Sequence, residues 1–246
     1  MHIHVFSSEA ELAEAAARRI VDRVRHDAEA VVGLATGSSP VAVYAAWGGQ
    51  ARAAGLDQSG VRGFALDEYL GLEPEDPRSY HAVIRRDAVA GAGLNPDLVR
   101  IPDGSGAPGA AAEYERAIRD AGGVDVQVLG IGRNGHLGFN EPGAAADSRT
   151  RIVELAEETI ADNARFFERE DDVPTRAITQ GLGTIFEARE LLVIAVGNAK
   201  AAAVAAAIEG EETELVPASL LRNHANVHWF IDGAAAGDLS AVPASD

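Results

Sequence analysis

The 246-residue sequence contains no cysteine, one lysine and one methionine, and aromatic residues make up only 5% of it. The absence of cysteine excludes a disulfide scaffold, a thiolate zinc site and a thiol nucleophile together, and it agrees with a reducing, cytoplasmic setting. No apolar run approaches the ~18 residues that a membrane span needs. The first residues, Met1 to Phe6 followed by Ser7-Ser8-Glu9, lack a basic region and a long apolar stretch, so neither signal peptide nor anchor is expected. Basic residues are also scarce. Against 38 Asp plus Glu stand 21 Lys plus Arg, a formal net charge of −17. A field of that sign repels phosphate backbones, which argues against a nucleic-acid partner. Lys200 is alone in a chain that otherwise uses arginine and has alanine at roughly one position in five, the bias of a GC-rich coding sequence.

What is present is an ordinary globular composition, 47% hydrophobic and 24% charged. Short β-branched runs alternate with longer alanine-rich stretches of helical period. Strands are expected at residues 3–6, 31–35, 61–66, 99–102, 125–131, 151–155, 191–196 and 226–231. Helices are expected at residues 9–25, 40–54, 79–90, 109–121, 157–167 and 198–208. This alternation reads as an α/β fold: an open, mostly parallel, doubly wound sheet with helices on both faces, Rossmann-like in plan. Neither linker nor repeat divides it, so one domain over residues 1–246 is expected, with a flexible tail from residue 234.

In such sheets ligands bind beyond the carboxyl ends of the strands. Thr36-Gly37-Ser38-Ser39-Pro40 follows one strand; with Ser39 as N-cap and Pro40 in the first turn, it aims free N–H groups and hydroxyls at one point, an anion cradle. Capping alone accounts for Ser and Pro, but not for Gly37, which permits close backbone approach. Gly197-Asn198-Ala199-Lys200 follows another strand and puts the sole lysine in a first helical turn, opposed by the helix dipole unless an anion sits there. Asp67 and Glu68 end a third strand with side chains on opposite sides, and nothing in the pattern chooses between them. After the fourth, Gly130, Gly132 and Gly135 match G-x-G-x-x-G, but the segment does not open a helix, so no dinucleotide site is read. Its glycines instead frame His136 and Glu141 for proton chemistry. His2, His4, His224 and His228 lack carboxylates at ligand spacing and are read as structural or exposed, so no metal site is expected.

Together these segments resemble the glucosamine-6-phosphate deaminase (isomerase) family, most specifically in Gly135-His136-Leu137-Gly138-Phe139-Asn140-Glu141-Pro142, and also in Leu66 to Leu72, Ser79-Tyr80, Ser148 to Arg151 and Asn163 to Phe167. The resemblance implies conversion of glucosamine 6-phosphate and water to fructose 6-phosphate and ammonium, without cofactor or metal. It implies that Asp67 moves the C2 proton to C1, that His136 opens the sugar ring and that Glu141 holds and polarises His136. Thr36, Gly37, Ser38, Ser39, Arg165 and Lys200 would bind the phosphate of a small sugar-phosphate partner. Asn134 joins the catalytic set at a position where many relatives carry Asp, which leaves more of the work to Glu141. Arg151 is kept from a regulatory site known in some members, but Val153 replaces a basic residue, so little allostery is expected. Relatives occur as monomers and as hexamers, which leaves the oligomeric state open. Asn140-Glu141-Pro142 argues against the related 6-phosphogluconolactonases. A galactosamine 6-phosphate deaminase is a nearer alternative. A non-catalytic sugar-phosphate sensor would be expected to add a DNA-binding extension and to lose Asp67, His136 and Glu141.

Overall fold

In a computed structural model of the protein, residues 1–241 are described. Seven strands form one parallel sheet: β1 (His2–Phe6), β2 (Val31–Leu34), β3 (Arg62–Ala65), β5 (Val99–Arg100), β6 (Val126–Gly130), β9 (Glu190–Ala195) and β10 (Val227–Asp232), in the order β1-β10-β9-β6-β2-β3-β5. Every pairing in it is parallel. The chain steps outward from β2 through β3 to β5, then returns to the other side of β2 for β6, β9 and β10. That reversal between β2 and β6 is the topological switch point at which open sheets of this kind bind ligands. β2 is buried along its whole length, as expected of a strand covered on both faces.

The helices form where pattern and caps agree. α1 (Glu9–His26) begins at Ser8, whose hydroxyl accepts from the Glu11 N–H, and it turns Leu12, Ala16, Ile20 and Val24 inward. α2 (Ser39–Ala53) buries Val43, Tyr44, Trp47 and Ala51. The Tyr44 hydroxyl bonds both the N–H and the carbonyl of Ala35 at 2.9 Å, which fixes the chain where β2 ends. The expected helix over 79–90 is α3 (Tyr80–Ile84) running through a π-helical turn at Arg85–Val89 into the short α4 (Ala90–Ala92). α5 (Ala110–Asp120), α6 (Glu157–Asn163), α7 (Leu182–Phe186) and α8 (Ala201–Ile208) follow in chain order.

Three points differ from the sequence reading. The strand expected at 151–155, β7 (Arg151–Glu154), lies outside the parallel sheet: it pairs antiparallel with β8 (Arg176–Thr179), which pairs antiparallel with β4 (Asp67–Tyr69). β4 and β8 were not expected as strands, being runs of three and four residues whose pairing is set by partners far away in the chain. The tail expected to be flexible from residue 234 is anchored at its start: Ala235 and Ala236 are fully buried and Leu239 nearly so, in the main core. The rest of that expected tail, residues 242–246, lies outside the described residues.

Candidate active site

The four strands that carry the motifs, β9, β6, β2 and β3, are neighbours in the middle of the sheet. At ~4.8 Å between strands, the segment after β2 and the segment after β9 lie roughly 10 Å apart, with the Gly130–Gly143 loop between them. The topology therefore gathers what the sequence scatters over more than half its length.

In the cradle, Ser38 rather than Ser39 is the N-cap of α2, and its side chain makes no capping hydrogen bond. The capping explanation for these serines thus fails, and their hydroxyls are available to a ligand. Gly37 takes φ +99° and a Cβ there would meet open space, so a glycine is required by conformation and not by crowding. The Thr36 hydroxyl lies against the Tyr80 phenol, and the Tyr80 ring stacks on Phe139 with centroids 5.8 Å apart. That contact joins the cradle to the loop after β6.

Lys200 closes a 3-10 turn, Asn198–Lys200, at the start of α8. Burial, together with the charges of Arg165 and Arg133, pushes its amine below the usual lysine value, against the pull of Asp162. Among the described residues neither Lys200 nor Arg165 has an ion-pair partner. Arg165 rests its guanidinium over the Phe166 ring at 4.7 Å, while Arg133 is held by Asp162. Two unpaired cations beside a third make a corner that favours an anion.

Asp67 and Glu68 are both buried, and their surroundings separate them. Glu68 accepts from the N–H groups of Tyr69 at 2.7 Å, Tyr80 at 2.9 Å and His81 at 2.8 Å, so it shares the capping of α3 with the N-cap Ser79, whose hydroxyl accepts from the Ala82 N–H. Burial raises its carboxyl while these three bonds pull it back. Among the described residues no such bond serves Asp67. Burial, then the charge of Glu68, pushes its carboxyl up to about 8. A Cβ on Gly138, which has φ +57°, would stand 3.1 Å from Asp67 Oδ2, so the glycine lets the loop carrying His136 close onto the carboxylate.

His136 lies over Gly132: a Cβ there would stand 2.3 Å from its ring. His136 Nδ1 faces Glu141 Oε2 at 3.4 Å, within ion-pair reach but outside hydrogen-bond geometry. Asn134 Nδ2 donates to the same oxygen at 2.9 Å, and Asn134 Oδ1 accepts from the His136 N–H at 3.2 Å. Asn134 is therefore a neutral bracket between the two groups. Thr159 Oγ1 donates to Glu141 Oε1 at 2.5 Å. Burial raises the Glu141 carboxyl, but His136, Thr159 and Asn134 outweigh it and hold it below its ordinary value. Asn140 is fully engaged, donating to the carbonyls of Leu137 and Gln180 and accepting from Arg151. The arginine expected as a regulatory remnant thus shapes the loop.

A family model for glucosamine-6-phosphate isomerases/6-phosphogluconolactonase matches residues 7–229. The chain belongs to this family. It is 46% identical over 248 aligned positions to a glucosamine-6-phosphate deaminase of Bifidobacterium longum subsp. infantis, covering 96% of this chain and 92% of that protein. With one of Rhodococcus jostii it shares 52% identity over 85% of this chain and 82% of that one. A solved monomeric glucosamine-6-phosphate deaminase superposes with a TM-score of 0.93 at 37% identity, over 97% of this chain and all of the other. A 6-phosphogluconolactonase from Trypanosoma cruzi, at 22% identity and TM-score 0.77, shares the fold.

The structure adds Thr159 and Tyr80 to the residues that the sequence singles out. Tyr80 lies in the Ser79-Tyr80 segment that carries the family resemblance, whereas no local pattern marks Thr159, whose bond to Glu141 spans 18 residues. Among the described residues, no helix is long and apolar enough to cross a membrane, and no group of three His, Asp or Glu is placed to hold a metal ion.

Proposed function

We propose that the protein is an enzyme that converts glucosamine 6-phosphate and water to fructose 6-phosphate and ammonium. The observation that carries the reading is the buried, unbonded carboxylate of Asp67 closed over by the loop that holds His136 against Glu141. The relatives named glucosamine-6-phosphate deaminase, matched over nearly the whole chain, support it.

The chemistry follows from the balance of atoms. The ring opens when its oxygen gains a proton, which His136, oriented by Glu141 and Asn134, supplies. Asp67 then takes the proton from C2 and returns it to C1, while the C1 oxygen gains the proton that the C2 amine gives up, so that the C1 aldehyde becomes a hydroxymethyl group and C2 an imine. Water adds at C2, and the C–N bond breaks to release ammonia and the ketose. One base serving two adjacent carbons suits a carboxylate held in a fixed place and poised near neutral pH. The phosphate would sit between the Thr36–Ser39 cradle and the Lys200 and Arg165 cations, whose binding energy fixes C1 and C2 over Asp67. The same reading places the enzyme in amino-sugar breakdown in the cytoplasm, as a single domain whose core runs from Val5 to Leu239.

The test is a parallel assay with glucosamine 6-phosphate, galactosamine 6-phosphate and 6-phosphogluconolactone. Ammonia release from the first, lost by at least about 10³-fold in Asp67→Asn while phosphate-sugar binding survives, is the expected outcome. Turnover of the lactone in its place, or undiminished ammonia release by Asp67→Asn, would overturn the reading.

A further inference from the structure

In the helix α6, Glu157, Glu158 and Ala161 are exposed, Ile160, Asp162 and Asn163 are half-buried, and Thr159 is the one fully buried side chain, 3% exposed. An inward position on a short surface helix ordinarily takes an apolar residue. Here it holds a hydroxyl that ends on Glu141. The two oxygens of Glu141 are thereby divided: Oε1 is bonded to α6 through Thr159, and Oε2 to the loop through Asn134, facing His136 Nδ1. Among the described residues His136 Nδ1 has no hydrogen-bond partner, and Glu141 Oε2, at 3.4 Å, is the acceptor it faces.

The same helix is tied to the rest of the site at its other end. Arg133, in the His136 loop, binds Asp162, and Asn163 Nδ2 donates at 2.8 Å to the hydroxyl of Tyr69, two residues beyond Asp67. Directly after α6, the turn Ala164–Phe166 carries Arg165, whose charge reaches Lys200. Thr159 and Arg165 are about 9 Å apart along the chain at helical rise. An anion drawn to Arg165 and Lys200 therefore acts on the helix whose inward hydroxyl holds Glu141.

We propose that Thr159 is a positioning residue that couples occupancy of the Arg165–Lys200 corner to the orientation of Glu141 and His136. This rests on the deaminase reading for its kinetic consequence, but the coupling itself requires no reaction. Binding energy at the phosphate, remote from C1 and C2, would in this way set the ring-opening group before chemistry begins.

The experiment compares wild type, Thr159→Val and Thr159→Ser in steady-state kinetics, and follows the His136 imidazole resonance by NMR as inorganic phosphate is added, with His136→Gln used for assignment. Thr159→Val should lose about 10- to 100-fold in kcat with KM changed by less than about threefold, and Thr159→Ser should recover most of the loss. Phosphate should shift the His136 resonance in wild type and in Thr159→Ser but not in Thr159→Val. A retained kcat, a loss confined to KM, or an equal phosphate response in Thr159→Val would each overturn the proposal. Should Thr159→Val not fold, wild type decides: a His136 resonance indifferent to phosphate overturns the coupling, and a shift that Thr159→Ser shares sustains it. Failure of wild type to release ammonia would sink the deaminase reading while leaving the phosphate response readable.

Discussion

At the scale of single residues, Asp67, the proposed base, is set apart from its neighbour by the partners it lacks. Its neighbour Glu68 has three N–H donors, and Asp67 has burial and a like charge. A carboxyl pushed up to about 8 is mostly protonated at neutral pH, so the base form grows as pH rises. We expect kcat/KM to climb through about pH 8 and then level, measured over pH 5–9.5 in buffers of constant ionic strength. Stability should move the other way. The unfolded chain releases this proton near 3.8, the folded one only near 8. Between those values the native state holds the extra proton, and its stability falls as pH rises. The cost is absent below about 3.8 and complete above about 8. Asp67→Asn should therefore raise Tm at pH 9 by at least about 3 °C, with the gain shrinking toward pH 5. A gain independent of pH would show that the carboxylate is not held in this way.

At the scale of elements, the choice between Asp67 and Glu68 rests on α3. Period-two alternation puts the two side chains on opposite sides of a strand, but which of them is held by backbone donors depends on the N–H groups of residues 80 and 81. No local pattern reports a contact across such a separation. The same holds for β8 and β4, short runs whose pairing is non-local, and for α7, five residues with a glycine among them. What is legible of the fold follows from local physics: long amphipathic helices such as α1 and apolar strands buried on both faces; the proposed site is legible in turns whose glycines, serines and lone lysine a purely structural role does not account for. Because Glu68 caps α3 and also repels the charge on Asp67, Glu68→Gln should do two things at once. The amide keeps one acceptor but sets a donor against the His81 N–H, which costs about 1 kcal/mol or about 2–4 °C in Tm. Loss of the charge should also move the acid limb of kcat/KM to lower pH. A stability loss with the pH profile unmoved would leave Glu68 as a cap alone.

At the scale of the whole molecule, a net charge of −17 stands against a substrate that is itself a phosphate ester. The repulsion is a sum over charges spread across the surface, whereas in the proposed site the attraction comes from Lys200 and Arg165, gathered at one corner beside the Arg133–Asp162 pair. The two act over different distances, and salt separates them. The Debye length falls from ~30 Å at 0.01 M to ~8 Å at 0.15 M and ~3 Å at 1 M. The first step removes mostly the long-range repulsion, and the second reaches the contacts at the corner. We therefore expect kcat/KM for the sugar phosphate to rise with neutral salt up to about 0.15 M and to fall toward 1 M. A fall that begins at the lowest salt would mean that the corner dominates at every distance. Lys200→Met distinguishes the two limbs: it should lower kcat/KM at all salt concentrations, keep the rise, which depends on the remote charges, and flatten the fall, which depends on the cation it removes.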